Sequence, residues 1–239
     1  MEAGRAPMNT EAAFSTTRWT LVIQAGDESP QSSIALRELC EIYYEPVVFF
    51  ILRWRNQQDE NQARDQAHSF FESLLNRQSI GKPDSNRGNF RNYLLGAVRN
   101  FLLEQDRAAG VKKRGGDVTH EPLDEDQPAP SVAESIFDRE WALAIVGRAL
   151  SELESEMLAA DKADQFETLK PCLDGKNARP QSEIASELGI SESAVKVAIH
   201  RLRERFRTKV RAEVAATLLD PKEIDSEMQY LITALAHQG

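Results

Sequence analysis

Residues 180–210 read PQSEIASELGISESAVKVAIHRLRERFRTKV, and this stretch decides the fold. Ser182–Leu188 suits a short helix with Ile184 and Leu188 on one face and the small Ala185 beside them. Gly189 then gives the backbone freedom for a tight turn, and Ser191 is a good N-cap for a second helix. In that helix Val195, Ile199, Leu202 and Phe206 recur at steps of four, three and four, one apolar stripe at the helical period. A short helix, a glycine turn and a longer helix with a small residue at the crossing form a helix-turn-helix.

Charge separates this stretch from the rest of the chain. The 239 residues carry 29 Lys and Arg against 38 Asp and Glu, a net charge of −9. Taken whole, that balance argues against a nucleic-acid partner, because phosphate binding needs a basic footprint. Between Ser191 and Arg211, however, there are seven bases (Lys196, Arg201, Arg203, Arg205, Arg207, Lys209, Arg211) and two acids, Glu192 and Glu204. Lys196, His200, Arg203 and Arg207 share a face beside the apolar stripe, where they can neutralise phosphates and offer donors to base edges. A second basic segment runs from Arg87 to Gly116, with Arg87, Arg91, Arg99, Arg107, Lys112, Lys113 and Arg114 against Glu104 and Asp106. Aromatic residues interleave there. Phe90 and Phe101 fit a buried stripe with Leu94 and Ala97, whereas Tyr93 falls off it and suits stacking on an unpaired base. The acidity sits elsewhere: residues 117–171 hold fourteen acids and four bases.

The remaining pattern is helical. Leu36, Leu39, Tyr43, Val47, Phe50 and Trp54 recur at three- and four-residue steps, with Pro46 expected to kink or divide them. A helix is predicted over about 59–76, with Phe70, Phe71, Leu74 and Leu75 apolar, and a loop over Gln78–Asn89, QSIGKPDSNRGN. Asp117–Pro130, DVTHEPLDEDQPAP, has five acids and three prolines and reads as a linker. Asp220-Pro221-Lys222-Glu223 combines an N-cap acid, a proline at the first helical position and a Glu three residues after the cap. Ile224, Met228, Leu231 and Leu235 then mark an amphipathic C-terminal helix, expected to pack on the second domain or, in the sharper reading, to shield the basic helix or dock a regulator. The prediction is an all-α chain of two small helical domains: a flexible tail over 1–17, a first domain over 18–112, a linker over 113–134, a helix-turn-helix domain over 135–211 and a helical extension over 212–239.

Several functions are disfavoured by what the sequence lacks. No apolar run approaches the roughly 18 residues of a membrane helix and the first twenty residues have no signal-peptide core, so a cytoplasmic protein without membrane insertion is expected. Cys40 and Cys172 are far apart and the four histidines are scattered, so no metal site or cofactor is expected, and the two thiols read as buried and reduced. There is no Gly-x-x-x-x-Gly-Lys-Ser/Thr loop, His-Glu-x-x-His or Gly-x-Ser-x-Gly, so no catalytic residues are assigned.

From about Thr17 to Val210 the chain resembles the extracytoplasmic-function sigma factors, which direct bacterial RNA polymerase to promoters. SEIASELGISESAVKVAIHRLRERF is similar to that family's promoter-reading helix-turn-helix, NFRNYLLGAVRNFLLEQDR to its DNA-melting helix, and ARDQAHSFFESLL to the helix that grips the polymerase clamp. FDREWALAIVGRAL and the tail Asp220–Leu235 resemble a subgroup with a longer C-terminal end. The resemblance implies that Ser191, Ser193, Lys196, His200, Arg201 and Arg203 approach the upstream (−35) element. It implies that Arg91, Tyr93, Arg99 and Asn100 face the −10 element, with the Gln78–Asn89 loop near a flipped-out base and Lys112, Lys113 and Arg114 on backbone phosphates. Asp65, His68, Ser69 and Glu72 would contact core polymerase, although Ser69 stands where the family usually has an acid. The implied partners are core RNA polymerase, double-stranded and melted promoter DNA, and an anti-sigma factor or other regulator, with the chain monomeric on polymerase. The alternative reading is a stand-alone helix-turn-helix regulator whose N-terminal domain senses or dimerises.

Overall fold

The computed structural model describes residues 17–24, 30–56, 59–76, 89–114, 132–173 and 179–236. Among them the architecture is helical: α1 (Arg18–Gln24), α2 (Pro30–Trp54), α3 (Glu60–Asn76), α4 (Phe90–Arg114), α5 (Val132–Ala159), α6 (Ala163–Leu169), α7 (Gln181–Leu188), α8 (Glu192–Ala215) and α9 (Ile224–Ala236). The only pairing outside helices among the described residues is an isolated antiparallel bridge between Asn89 and Leu218.

Local chemistry sets many of the boundaries. Pro30 opens α2, where a missing N–H costs nothing. Asp59 Oδ1 accepts from the Asn61 N–H at 3.0 Å and starts α3; Asn89 Oδ1 accepts from the Asn92 N–H at 2.9 Å and starts α4. Pro46 does not divide α2, which runs through it unbroken. Pro46, Val47, Val48, Phe50 and Ile51 are all buried there, and their packing offsets the hydrogen bond that proline removes.

Two apolar cores share one long helix. The larger gathers Trp19, Tyr43, Phe50, Phe70, Phe90 and Leu94 from α1–α4, then Phe137, Trp141 and Ile145 from the first half of α5, and Val210, Val214, Leu218 and Leu231 from the C-terminal segment. The smaller is built from Leu153 and Met157 of α5, Phe166 and Leu169 of α6, Cys172, Ile184 and Ala185 of α7, and Val195 and Leu202 of α8. The division between cores therefore falls inside α5, a rod of 28 residues, about 42 Å long. Helix extends into both ends of the expected linker, since α4 reaches Arg114 and α5 begins at Val132. Residues 115–131, the rest of that linker, lie outside the described residues, as do 1–16 of the expected tail and 78–88 of the expected loop. The C-terminal helix α9 packs on α5 and α8, as expected of an extension lying on the second domain, and it also reaches the start of α4.

Candidate nucleic-acid interface

The helix-turn-helix forms as its sequence dictates. Gly189 takes the left-handed conformation, φ 66° and ψ 30°, and its N–H closes α7 on the Ala185 carbonyl. Ser191 is extended, and its Oγ accepts from the Ala194 N–H at 3.2 Å. Val195 and Leu202 are buried with Ile184 and Ala185, which fixes the roll of α8. With that roll set, Ser191, Ser193, Lys196, Val197, His200 and Arg201 all lie exposed toward the N-terminal half of α8.

The other basic residues of α8 face inward or pair off. Arg203 donates from Nε and Nη2 to the Cys172 carbonyl at 3.0 and 2.6 Å, holding the turn after α6. Arg205 and Lys209 both pair with Glu156 of α5, and these two cations hold the Glu156 carboxyl below its usual range. Arg207 pairs with Glu204, and Arg211 with Asp225 of α9. Among the described residues, Lys196 and Arg201 are the two of α8's seven bases with no protein partner. Residue reading missed Val197, which is 49% exposed between Ser193, His200 and Arg201. A helical wheel anchored on the buried stripe would have found it, because Val197 lies opposite that stripe.

The second predicted set is not presented together. Arg91, expected to face DNA, is 6% exposed. Its Nη1 lies 2.8 Å from Asp138 Oδ1 and its Nε 3.0 Å from Glu227 Oε1. Its guanidinium sits 4.0 Å from the Tyr230 ring centroid and 5.3 Å from that of Trp141. Tyr230 Oη donates to the other Asp138 oxygen at 2.5 Å, and Asn89 Nδ2 donates to Glu227 Oε2 at 3.2 Å. Burial alone would lower the Arg91 pKa, but the charges of Glu227 and Asp138 outweigh it and hold the guanidinium firmly protonated. Burial pushes Asp138 up despite Arg91, and burial with the Asp138 hydrogen bond pushes Tyr230 up to about 12. Two buried acids need a buried cation, and Arg91 supplies it.

The rest of α4 is mixed. Tyr93, expected on the surface, is partly buried against Trp19 and Phe90, with ring centroids 5.2 and 6.0 Å away. Arg99 pairs with Glu134 at 2.8 Å yet keeps 43% of its side chain exposed, and Asn100 is exposed. Lys112, Lys113 and Arg114 complete the backbone of α4; their side chains lie outside the described residues.

On α3, Asp65, His68, Ser69 and Glu72 share one exposed face. His68 Nε2 and Tyr44 Oη are hydrogen-bonded at 2.9 Å, while the Ser69 hydroxyl turns back to the Asp65 carbonyl at 3.0 Å. Ser69 therefore does not stand in for a carboxylate. Beside this face, Arg37, Cys40, Glu41 and Tyr44 of α2 and His68, Phe71, Glu72 and Leu75 of α3 line a groove of about 640 Å³. The α2 side of it carries no motif of its own and becomes visible only once the helices are paired.

The family model described as ECF sigma factor matches residues 15–212. The chain belongs to the ECF sigma factor family. It is an RNA polymerase sigma factor, acting in promoter recognition and transcription initiation, and it binds core RNA polymerase and promoter DNA. No curated protein and no solved structure matches the chain. Among the described residues, no helix of this sigma factor is long and apolar enough to cross a membrane.

Proposed function

We propose that the N-terminal half of α8 reads the −35 element in the major groove, with Ser191, Ser193, Lys196, His200 and Arg201 as polar contacts. Val197 adds apolar contact suited to a thymine methyl. The observation that carries this reading is the pair Lys196 and Arg201, left without protein partners on a capped helix whose other bases are engaged. Arg203 acts mainly by holding the turn at Cys172. On α4, Arg99 and Asn100 are the residues best placed for the −10 element, with Tyr93 joining once its packing against Trp19 loosens and Lys112, Lys113 and Arg114 taking backbone phosphates. The α3 face with Asp65, His68, Ser69 and Glu72, together with the adjoining groove, docks on core polymerase. The protein works as a monomer on the polymerase, in the cytoplasm, and opens the duplex by contacts at both elements acting together.

In vitro transcription with purified core polymerase and a genomic promoter pool tests this. The expected result is promoter-specific transcripts that depend on both proteins. A homodimer that ignores core polymerase and binds a palindrome would refute it.

A further inference from the structure

The described part of the segment beyond the family match, residues 213–236, is the one that closes over the start of α4. Its backbone enters the N-terminal half directly. The Trp19 N–H donates to the Ala216 carbonyl at 3.2 Å and the Phe90 N–H to the Thr217 carbonyl at 3.0 Å. The Thr17 hydroxyl donates to the Leu218 carbonyl at 2.8 Å. Leu218 is 1% exposed, and Glu227 of α9 seals Arg91 and Asn89.

That closure limits how far apart the two DNA-reading helices can lie. From Ser193 to Thr217 the chain runs almost entirely as α8, about 36 Å at 1.5 Å per residue. Thr217 is bonded to Phe90, so Ser193 lies within about 40 Å of the first turn of α4. Asn100 stands ten residues further along α4, at most about 15 Å more. Elements centred near −35 and −10 are about 25 base pairs apart, or roughly 85 Å of B-form duplex. The closed arrangement cannot span them.

We propose that residues 216–236 form an intramolecular clasp that holds this sigma factor in a closed state unable to read both promoter elements, and that engagement of polymerase and promoter releases it. Release frees the Phe90 and Trp19 amides, withdraws Glu227 from Arg91 and, as the first half of α5 leaves the larger core, lets α4 separate from α8. The proposal rests on the assignment of the two elements to α8 and α4 given above. Because the holoenzyme favours the open state, its binding energy shifts the population, and the free chain stays largely closed.

Asn89 and Leu218 form a non-hydrogen-bonded antiparallel pair, for which the Cα separation is about 4.5 Å, inside the disulfide range of about 4.4–6.8 Å. Asn89→Cys with Leu218→Cys therefore makes a reversible lock. Cys40 and Cys172 are both buried, and burial pushes the Cys40 thiol up to about 12, so neither competes. With core polymerase and a promoter that the wild type transcribes, the oxidised double variant should lose about tenfold or more of the transcript relative to its own reduced form. Binding of the isolated −35 duplex should not change on oxidation. Equal transcription by the oxidised and reduced forms would overturn the clasp while leaving the sigma assignments intact, whereas failure of the wild type would overturn those assignments. Hydrogen exchange on the wild type gives a second readout independent of any variant. The Trp19 and Phe90 amides should lose protection in the polymerase–promoter complex, and unchanged protection there overturns the clasp.

Discussion

Replacing Lys196 and Arg201 together by Ala probes whether α8 binds phosphates as its free bases suggest. Each phosphate neutralised by a protein cation releases condensed counterions and contributes about 0.9 to the slope of log K against log salt. Removing two such contacts should flatten the slope by about 1.8. Between about 50 and 200 mM salt, a fourfold change, that difference amounts to about tenfold. The variant's deficit on an upstream-element duplex should thus be about ten times larger at the low end than at the high end. The control is Arg205→Ala with Lys209→Ala, an equal loss of charge from the same helix. Those two cations already neutralise Glu156, so their removal should leave the slope nearly unchanged and cost about 1 kcal/mol of stability or less. The net charge of −9 does not spoil the comparison. At about 0.1 M salt the Debye length is about 10 Å, and distant acids are screened from the α8 face. Anisotropy titrations of the full chain against a labelled duplex, at four or more salt concentrations, measure both slopes. Equal slopes for wild type and the Lys196/Arg201 variant, or equal flattening by the control, would refute the reasoning.

Gly189→Ala should destabilise the protein by about 1 kcal/mol, because φ 66° is costly for an L residue while an added Cβ would meet nothing within 4 Å; denaturant unfolding measures it, and a loss several times larger would mean that the turn is held by contacts instead. Glu213→Gln should cost about 1–3 kcal/mol near neutral pH, since its carboxylate, 4% exposed, faces Arg18 and Arg148 at 3.2 and 3.1 Å. Burial works against that carboxylate, but Arg18 and Arg148 outweigh it and hold Glu213 below the usual 4.5, so its contribution is full above that value and lost as pH falls below it. The gap in Tm between wild type and variant should narrow as pH falls below about 4.5, and a gap independent of pH would show that the ion pairs are not its source.

What could be read from the sequence was local. Gly189, the Ser191 cap and the Val195–Phe206 stripe lie within a few turns of one another, so residue order alone defines the helix-turn-helix. The same holds at Asp220, whose carboxylate accepts from the Lys222 N–H at 2.9 Å and starts the turn that leads into α9. The burial of Arg91 was not legible because its partners are remote: Asp138 is 47 positions away and Glu227 136. A base next to an aromatic stripe looks the same in sequence whether it meets phosphate or buried carboxylates. The α9 stripe likewise declared an apolar face without naming what covers it, and α5, read as part of the second domain, carries both cores because its apolar positions continue without a break from Ala133 to Met157.

Counting charges by segment singled out α8 as the candidate DNA-reading helix but overstated how many of its bases are free. The seven bases of α8 reduce to two once Cys172, Glu156, Glu204 and Asp225 have taken the others. In the other direction, the acids that make the chain anionic are partly structural, since Glu156 aligns α8 on α5 and Asp138 with Glu227 holds α4 to α9. Two unpaired cations supply only weak, salt-sensitive attraction to any one duplex. If only the open form can use both elements, the apparent affinity of the free chain falls further, by the fraction that is open. On the proposed reading, weak attraction and closure act in the same direction: neither half alone would hold the protein on DNA, and stable engagement would require the polymerase to carry α4 and α8 to their two elements at once.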